Sequence, residues 1–428
     1  MAADLSRHTV TVIARTAAAC SAVGVVLLLL ALRRGWSGVA PRVLLWAGVV
    51  GAVLFCLLPP AGSIDILNYA IYGRIADLGF DPYHMTPNQL RQAGDPVGLW
   101  RPRSWAEQPT VYGPVATAVH AVAARLGGAS MAWIVAWLKV AHAAAFVAIA
   151  VMIDRLVGPD RVARMRAAVL WTVNPLMLFW MVGSGHVDVI AVALLVGAVW
   201  VLSRSRWGIA ASGLVAGALV GAAIAAKVTY LFPAVGLALG CRRRPRVVVA
   251  GALGAAVTVG VGYLLAGRTA MASLSQRMSH DSDLFLPIPS ILRDRPAVYS
   301  ATVLVSTLCV AGLVWWRLRR DGTGDGTLDL RPLVAFAIAC VVVSPVQYPW
   351  YDATFLPALA LLLRTRFDEA VVLRCAVLSV VLLPGIGTFP SQYETARVAV
   401  LMFFVALGVL VAVSGRGVLR NWERLRST

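Results

Sequence analysis

The sequence predicts an all-α polytopic membrane protein, on three observations. Apolar residues are in excess, they fall into blocks of membrane-crossing length, and arginines collect between alternate blocks. Of 428 residues, 59% are hydrophobic and 14% charged. A soluble globular chain is nearer about half apolar and about a quarter charged. The blocks run to about 17–25 residues, the length a helix needs to cross about 30 Å of hydrocarbon. In that solvent every backbone N–H and C=O is paired within its own segment, so the spans are helices. The short alternating strands of a β-barrel are not found in the sequence.

Taken in order, the first block covers residues 12–32. It is expected to stay as a span, because no basic n-region leads directly into a short apolar run and cleavage site. The second block, 43–60, opens into a polar stretch at 61–130. Inside that stretch residues 112–127 are short for a crossing. Val115, Val119, Val122 and Leu126 share one face there, so an interfacial helix is expected. Further blocks lie at 131–154, 166–183, 187–203, 208–226, 228–240, 247–266, 297–316, 332–347, 351–363, 370–388 and 395–414, giving about thirteen spans in one membrane domain over 1–428. A second polar stretch fills 267–296, and DGTGDGTLD at 321–329 reads as a flexible acidic connector.

The formal charge of +18 raises the question of a nucleic-acid partner. Its placement answers it. The basic residues sit at Arg33 and Arg34, at 155–166, at Arg204 and Arg206, and at Arg242, Arg243, Arg244 and Arg246. They recur at Arg317, Arg319 and Arg320, at Arg364 and Arg366, and at 416–426. Short arginine-rich loops at alternate crossings mark the cytoplasmic side. The charge is topology plus attraction to anionic membrane lipid, and no nucleic acid is expected. This places the C-terminus inside and the N-terminus outside, with Arg7 and Arg15 running against the latter. The six cysteines lie in or beside apolar blocks without paired spacing and read as small buried hydrophobes.

With this topology the unusual polar residues gather at exterior turns. They lie in SIDILNYAIYGRIADLGFDPY (63–83), in GSGHVDV (183–189) and at Lys227 between two apolar blocks. Two more sets are Arg277, His280, Asp281 and Asp283 in the second polar stretch, and SPVQYPWYD (344–352). Costly polar groups collected at one membrane face point to one shared site. A transporter would instead place ionisable residues near the bilayer midplane; mid-span charges are almost absent here, which disfavours a transporter or flippase.

The run Ser63-x-Asp65-x-x-x-Tyr69-x-x-Tyr72-Gly73-Arg74, with Gly79-x-Asp81-Pro82-Tyr83 and Tyr112-Gly113-Pro114, resembles the first exterior loop of actinobacterial polyprenol-phosphate-mannose-dependent α-1,6-mannosyltransferases of the GT-C superfamily. Gly185-His186-Val187-Asp188 is similar to that family's glycine-His-x-Asp turn, where the third position is more often Asn. Lys227 matches its lysine before a short apolar span, and Ser344-Pro345 with Pro349-Trp350-Tyr351 matches a late SP…PWY turn. The similarity covers about 60–365. It implies a GT-C fold in the plasma membrane with an outward-facing site. It also implies a polyprenyl-phosphate mannose donor and a cell-envelope glycan or glycolipid acceptor joined through an α-1,6 linkage. Transfer of another lipid-linked sugar, such as arabinose, is the alternative within the enzyme class.

That chemistry needs a base to take the acceptor hydroxyl's proton, worth about 10²–10⁴ in rate. It also needs cationic stabilisation of a leaving phosphate. Asp65, the first acidic residue after a span, is the candidate catalytic base; its competing role is to cap the following helix. Lys227, Arg74 and Arg277 are candidates for the donor phosphate, with snorkelling at a helix end as the competing role for Lys227. Candidate substrate contacts are Asp81, Tyr83, Tyr69, His186, Asp188, His280, Trp350 and Tyr351. Asp81 also suits an ordinary Asp-Pro turn, His186 and Asp188 a solvated helix end, and Trp350 and Tyr351 an interfacial aromatic belt. Lys139 lies in a span and is expected to pair within the bundle. No cofactor is assigned, and the carboxylates are too scattered to form a compact divalent-metal set.

Overall fold

A computed structural model describes residues 7–273, 295–320, 328–344 and 348–381. Among these residues the secondary structure is helical, without strands. In chain order the helices are α1 (Arg7–Arg33), α2 (Pro41–Leu57), α3 (Asp65–Asp77), α4 (Pro87–Gln92), α5 (Pro114–Gly127), α6 (Met131–Leu156), α7 (Arg161–Ala167) and α8 (Pro175–Met177). They continue with α9 (Asp188–Arg204), α10 (Ile209–Ala226), α11 (Leu231–Gly240), α12 (Pro245–Ala266), α13 (Pro296–Arg320), α14 (Arg331–Val343), α15 (Leu356–Leu361) and α16 (Phe367–Val381). Among the described residues six stretches are long and apolar enough to cross a membrane: Thr16–Arg33, Met131–Leu156, Arg161–Gly183, Ile209–Ala226, Pro245–Ala266 and Ala297–Arg320. Shorter apolar helices cover Pro41–Leu57, Val228–Gly240 and Arg331–Val343.

Local chemistry explains where these helices begin. Prolines open α2, α5 and α12, where the missing N–H has no intrahelical acceptor to lose. Ser130 caps α6 through the Trp133 amide at 3.4 Å, and Asp160 caps α7 through the Ala163 amide at 2.6 Å. Outward faces stay apolar: Leu253, Val257, Val261 and Leu264 of α12 are exposed, as befits contact with lipid. The α10–α12 pair is close because Gly213, Gly217 and Gly221 face α12. A Cβ on Gly217 would lie 2.0 Å from the Gly251 carbonyl oxygen, so only glycine admits that approach.

Two expected spans are built differently. Residues 161–183 do not form one regular helix. Helix α7 widens into a π turn over Ala168–Thr172, breaks at Val173 and Asn174, and restarts at Pro175 before a second π turn, Leu178–Gly183. Pro175 has no N–H, and the Asn174 side chain accepts the Leu176 amide at 3.0 Å instead. Residues 351–363 are likewise no single span: a 3-10 turn, Pro349–Thr354, is followed by the six-residue α15. Asp352 in that turn is buried and takes the Arg374 guanidinium at 2.9 Å, an ion pair inside what reads as an apolar block. The expected near-absence of mid-span charge is corrected to that extent. The last expected span, 395–414, lies outside the described residues, as does Pro345 of the SP…PWY turn.

The ends of the bundle differ in chemistry. One carries the arginines. Arg166, buried at the foot of α7, binds Asp368 through two nitrogens at 2.6 and 2.7 Å and donates to the carbonyls of Leu359, Ala360 and Leu362. Arg33 at the end of α1 pairs with Glu369 there, so α1 descends toward the arginine-rich end. The opposite end carries α3 to α5. Helix α5 buries Ala116, Thr117, His120, Ala123 and Ala124, and exposes Val122 and Leu126.

Candidate functional site

Asp65 is the first residue of α3. The capping position belongs to Ile64, which makes no side-chain capping bond, and the Asp65 amide is taken by Ser63 Oγ at 3.1 Å. The carboxylate is therefore not spent on its helix. Its side chain is 21% exposed, and the His186 Nδ1 stands 3.7 Å from Oδ2. Burial pushes the Asp65 carboxyl up to about 6; the Lys227 ammonium pulls the other way and the Asp188 carboxylate adds to the rise.

His186 lies in the turn between the second π turn and α9, and Asp188 is the first residue of α9. They do not solvate a helix end, because both are buried. The His186 ring stacks on Trp350 at 3.7 Å and 15°, and Trp350 stacks on Tyr348 at 4.3 Å. Trp350 thus packs within this group and not in an aromatic belt facing lipid. Burial, reinforced by Lys227, holds His186 well below the ordinary imidazole range, so its ring is neutral.

Lys227 follows the last turn of α10 in extended backbone, which aims its side chain back toward α9. Its Nζ donates to Asp188 Oδ1 at 2.7 Å and lies 4.4 Å from the centre of the Tyr351 ring. The Tyr230 hydroxyl donates to the Asp188 carbonyl at 3.2 Å and secures the same corner. This is a placed cation, not a snorkelling one. An ammonium has three N–H groups; one serves Asp188 and another faces Tyr351.

Tyr69, one turn along α3 from Asp65, meets Tyr112 hydroxyl to hydroxyl at 3.2 Å and stacks on His120 at 4.8 Å. Tyr112 is delivered by Gly113, whose amide donates to the Ala226 carbonyl at 3.0 Å. A Cβ at Gly113 would sit 2.1 Å from the Ala225 carbonyl oxygen, so glycine is required for the first polar stretch to dock on the end of α10. The Tyr112-Gly113-Pro114 motif therefore joins the Asp65 segment to the Lys227 segment.

Other expected contacts lie elsewhere. Arg74 is held by Asp95 at 2.9 Å and Asp77 at 3.0 Å, nine residues along α3 from Asp65 and so about 13 Å away. Asp81 accepts the Tyr83 amide at 2.9 Å and the Thr269 hydroxyl at 2.5 Å, shaping its own turn. Tyr83 is buried with its hydroxyl donating to Thr117 at 3.1 Å. Arg277 and His280 lie outside the described residues. Tyr112, His120, Tyr230 and Tyr348 are not among the site residues expected from sequence, although Tyr112 and Tyr348 stand in quoted runs. Among the described residues no set of three His, Cys, Asp or Glu side chains is placed to hold a metal ion.

The assembled group offers a carboxylate that is ionised yet basic near neutral pH, an ammonium with donor capacity to spare, and a wall of aromatic rings. Such a set suits proton abstraction from a hydroxyl beside a bound anion.

Residues 2–241, more than half of the chain, match the family described as "Alpha-(1->6)-mannopyranosyltransferase, N-terminal domain". The chain is 24% identical over 328 residues to alpha-(1->6)-mannopyranosyltransferase B of Corynebacterium glutamicum, covering 69% of this chain and 54% of that protein. The chain thus spans about half the length of the curated relative it matches. Among solved structures, ArnT from Cupriavidus metallidurans in the apo state superposes with a TM-score of 0.49 at 14% identity, covering 88% of this chain and 77% of that one. The apo oligosaccharyltransferase of Archaeoglobus fulgidus gives 0.43 at 12% identity, covering 87% and 55%.

Proposed function

The chain belongs to the alpha-(1->6)-mannopyranosyltransferase family, and from that premise we propose that it is an inverting GT-C glycosyltransferase. It transfers mannose from polyprenyl-phosphate mannose to a cell-envelope glycan or glycolipid, forming an α-1,6 linkage. The observation that carries the reading is the convergence of Asp65, His186, Asp188 and Lys227, from three separate segments, at the bundle end away from the arginines. By the positive-inside argument that end faces the exterior of the plasma membrane.

In the reaction an acceptor hydroxyl attacks the anomeric carbon while Asp65 takes its proton. The bond from that carbon to the phosphate oxygen breaks, and the electron pair leaves on the polyprenyl phosphate. The leaving group is a weak base and requires no general acid; a remaining Lys227 N–H meets its developing charge. One displacement inverts the configuration, so a β-linked donor yields an α-linked product. His186 and the Trp350 and Tyr351 rings wall the sugar site.

The test is transfer from radiolabelled polyprenyl-phosphate mannose to a panel of mannoside acceptors, with purified protein in nanodiscs and linkage analysis of the product. Acceptor-dependent label in an α-1,6 product is the expected result. Movement of the intact lipid-linked sugar between leaflets, with no label on any acceptor, would replace the enzyme reading with a transporter.

A further inference from the structure

The chain has two lysines. Lys227 stands in the site. Lys139 does not touch it, yet lies buried in α6 at 2% exposure, about 12 Å along the helix from its start. Its ammonium donates to two main-chain carbonyls, that of Leu58 and, at 3.3 Å, that of Gly183. Leu58 ends α2 and leads through 59–64 to Asp65; Gly183 ends the second π turn and leads through 184–185 to His186. The two segments touch nearby as well. The Ala61 amide donates to the Gly183 carbonyl at 3.4 Å, and the Ser184 hydroxyl donates to the Ala61 carbonyl.

Helix ends present carbonyls without intrahelical donors and carry the negative pole of the helix dipole. One ammonium placed between two such ends donates to both, beside the Ala61 amide at Gly183, and draws them together, which an apolar side chain in the same volume does not do. The segments it joins are 125 residues apart in sequence, from Leu58 to Gly183, and each reaches a site residue within a few positions.

We propose that Lys139 is a positioning residue of the active centre: it clasps the chain segments that present Asp65 and His186 and so sets the separation of those two side chains. Its effect on transfer rests on the function proposed above; the clasp itself does not. A cation that only held the bundle together would change stability and leave the turnover of each folded molecule as it was.

The experiment uses the full chain in nanodiscs with Lys139→Met, which donates to neither carbonyl, and Lys139→Gln, whose shorter, uncharged amide keeps N–H donors but not the charge. The expected result is a fall in kcat of about 10²-fold for Met and a smaller one for Gln, with the donor KM moving less than about threefold. Beside these, Ala61→Cys with Ser184→Cys reports the loop contact through its rate of disulfide closure under an added oxidant. Closure is expected about tenfold slower with Met at 139, and the closed disulfide is expected to restore turnover to that variant. Wild-type turnover per folded Met variant, or equal closure rates with and without Lys139, overturns the proposal. If the Met variant does not fold, the Gln variant decides by the same two measurements. If the wild type transfers no mannose, the proposed function fails and the closure rates still decide the clasp.

Discussion

Replacing Asp65 by Asn separates a catalytic carboxylate from a structural one, because the two roles move stability in opposite directions. The amide keeps the shape and cannot take a proton, so transfer is expected to fall about 10²–10⁴-fold, or about 3–5 kcal/mol of barrier. The fold raises the Asp65 carboxyl from its ordinary 3.8 to about 6, chiefly by burial. An acid raised in the folded state contributes stability that is whole below about 3.8 and is lost as pH rises through about 6. Above that window the buried charge costs about 3 kcal/mol at most, and less in practice because the side chain is partly solvated. Asn carries no charge and escapes this cost, so the variant is expected to unfold at the same or a higher temperature than wild type at about pH 8. The assay pairs kcat/KM against pH with thermal unfolding in nanodiscs. Wild type should lose activity as pH falls through about 6, and Asp65→Asn should show a low plateau without that limb. More than about a tenth of wild-type activity in the variant, or a joint loss of activity and melting temperature, would refute the argument and return Asp65 to a structural role.

The neighbours of Asp65 supply a signed test. Lys227→Met should move the acid limb above about 6 and weaken donor binding, whereas Asp188→Asn should move the limb lower; shifts in one direction for both would sink the electrostatic account. Gly113→Ala places a Cβ 2.1 Å from the Ala225 carbonyl oxygen, so it should cost about 1–3 kcal/mol and displace Tyr112, read as a lower melting temperature with reduced transfer. Arg166→Met strands the buried Asp368 and should cost about 3–5 kcal/mol, toward the lower end because Arg33 remains 3.9 Å away. Adding Asp368→Leu should return most of that stability, and a double variant no better than the single one would count against the buried pair.

Much of this candidate site is legible in the sequence. Asp65, His186, Asp188 and Lys227 each stand within a few residues of an apolar block, and the arginine pattern assigns all four to one face. Arg74 carries the same signal and is elsewhere, because it is neutralised by Asp95, 21 residues away, whose position relative to α3 depends on the course of the intervening loop. The Asp352–Arg374 pair was hidden for a related reason: each charge is diluted by apolar neighbours, and only the packing of α16 on the 3-10 turn brings them together. Hydropathy also masked the break at Asn174 and Pro175, since a window of apolar residues averages over one missing N–H.

Sequence alone determined the solvent and the helical class, because a bilayer acts on each segment separately through length and apolarity. Tertiary structure decided which polar residues come together in the candidate site. That outcome depends on distances of a few ångströms between segments up to 285 residues apart, as from Asp65 to Trp350. Close approaches such as Gly113 against α10, the stack of His186 on Trp350 and the reach of Lys139 to two carbonyls set those distances. Packing is specified by the shape of the whole, and no single segment contains it.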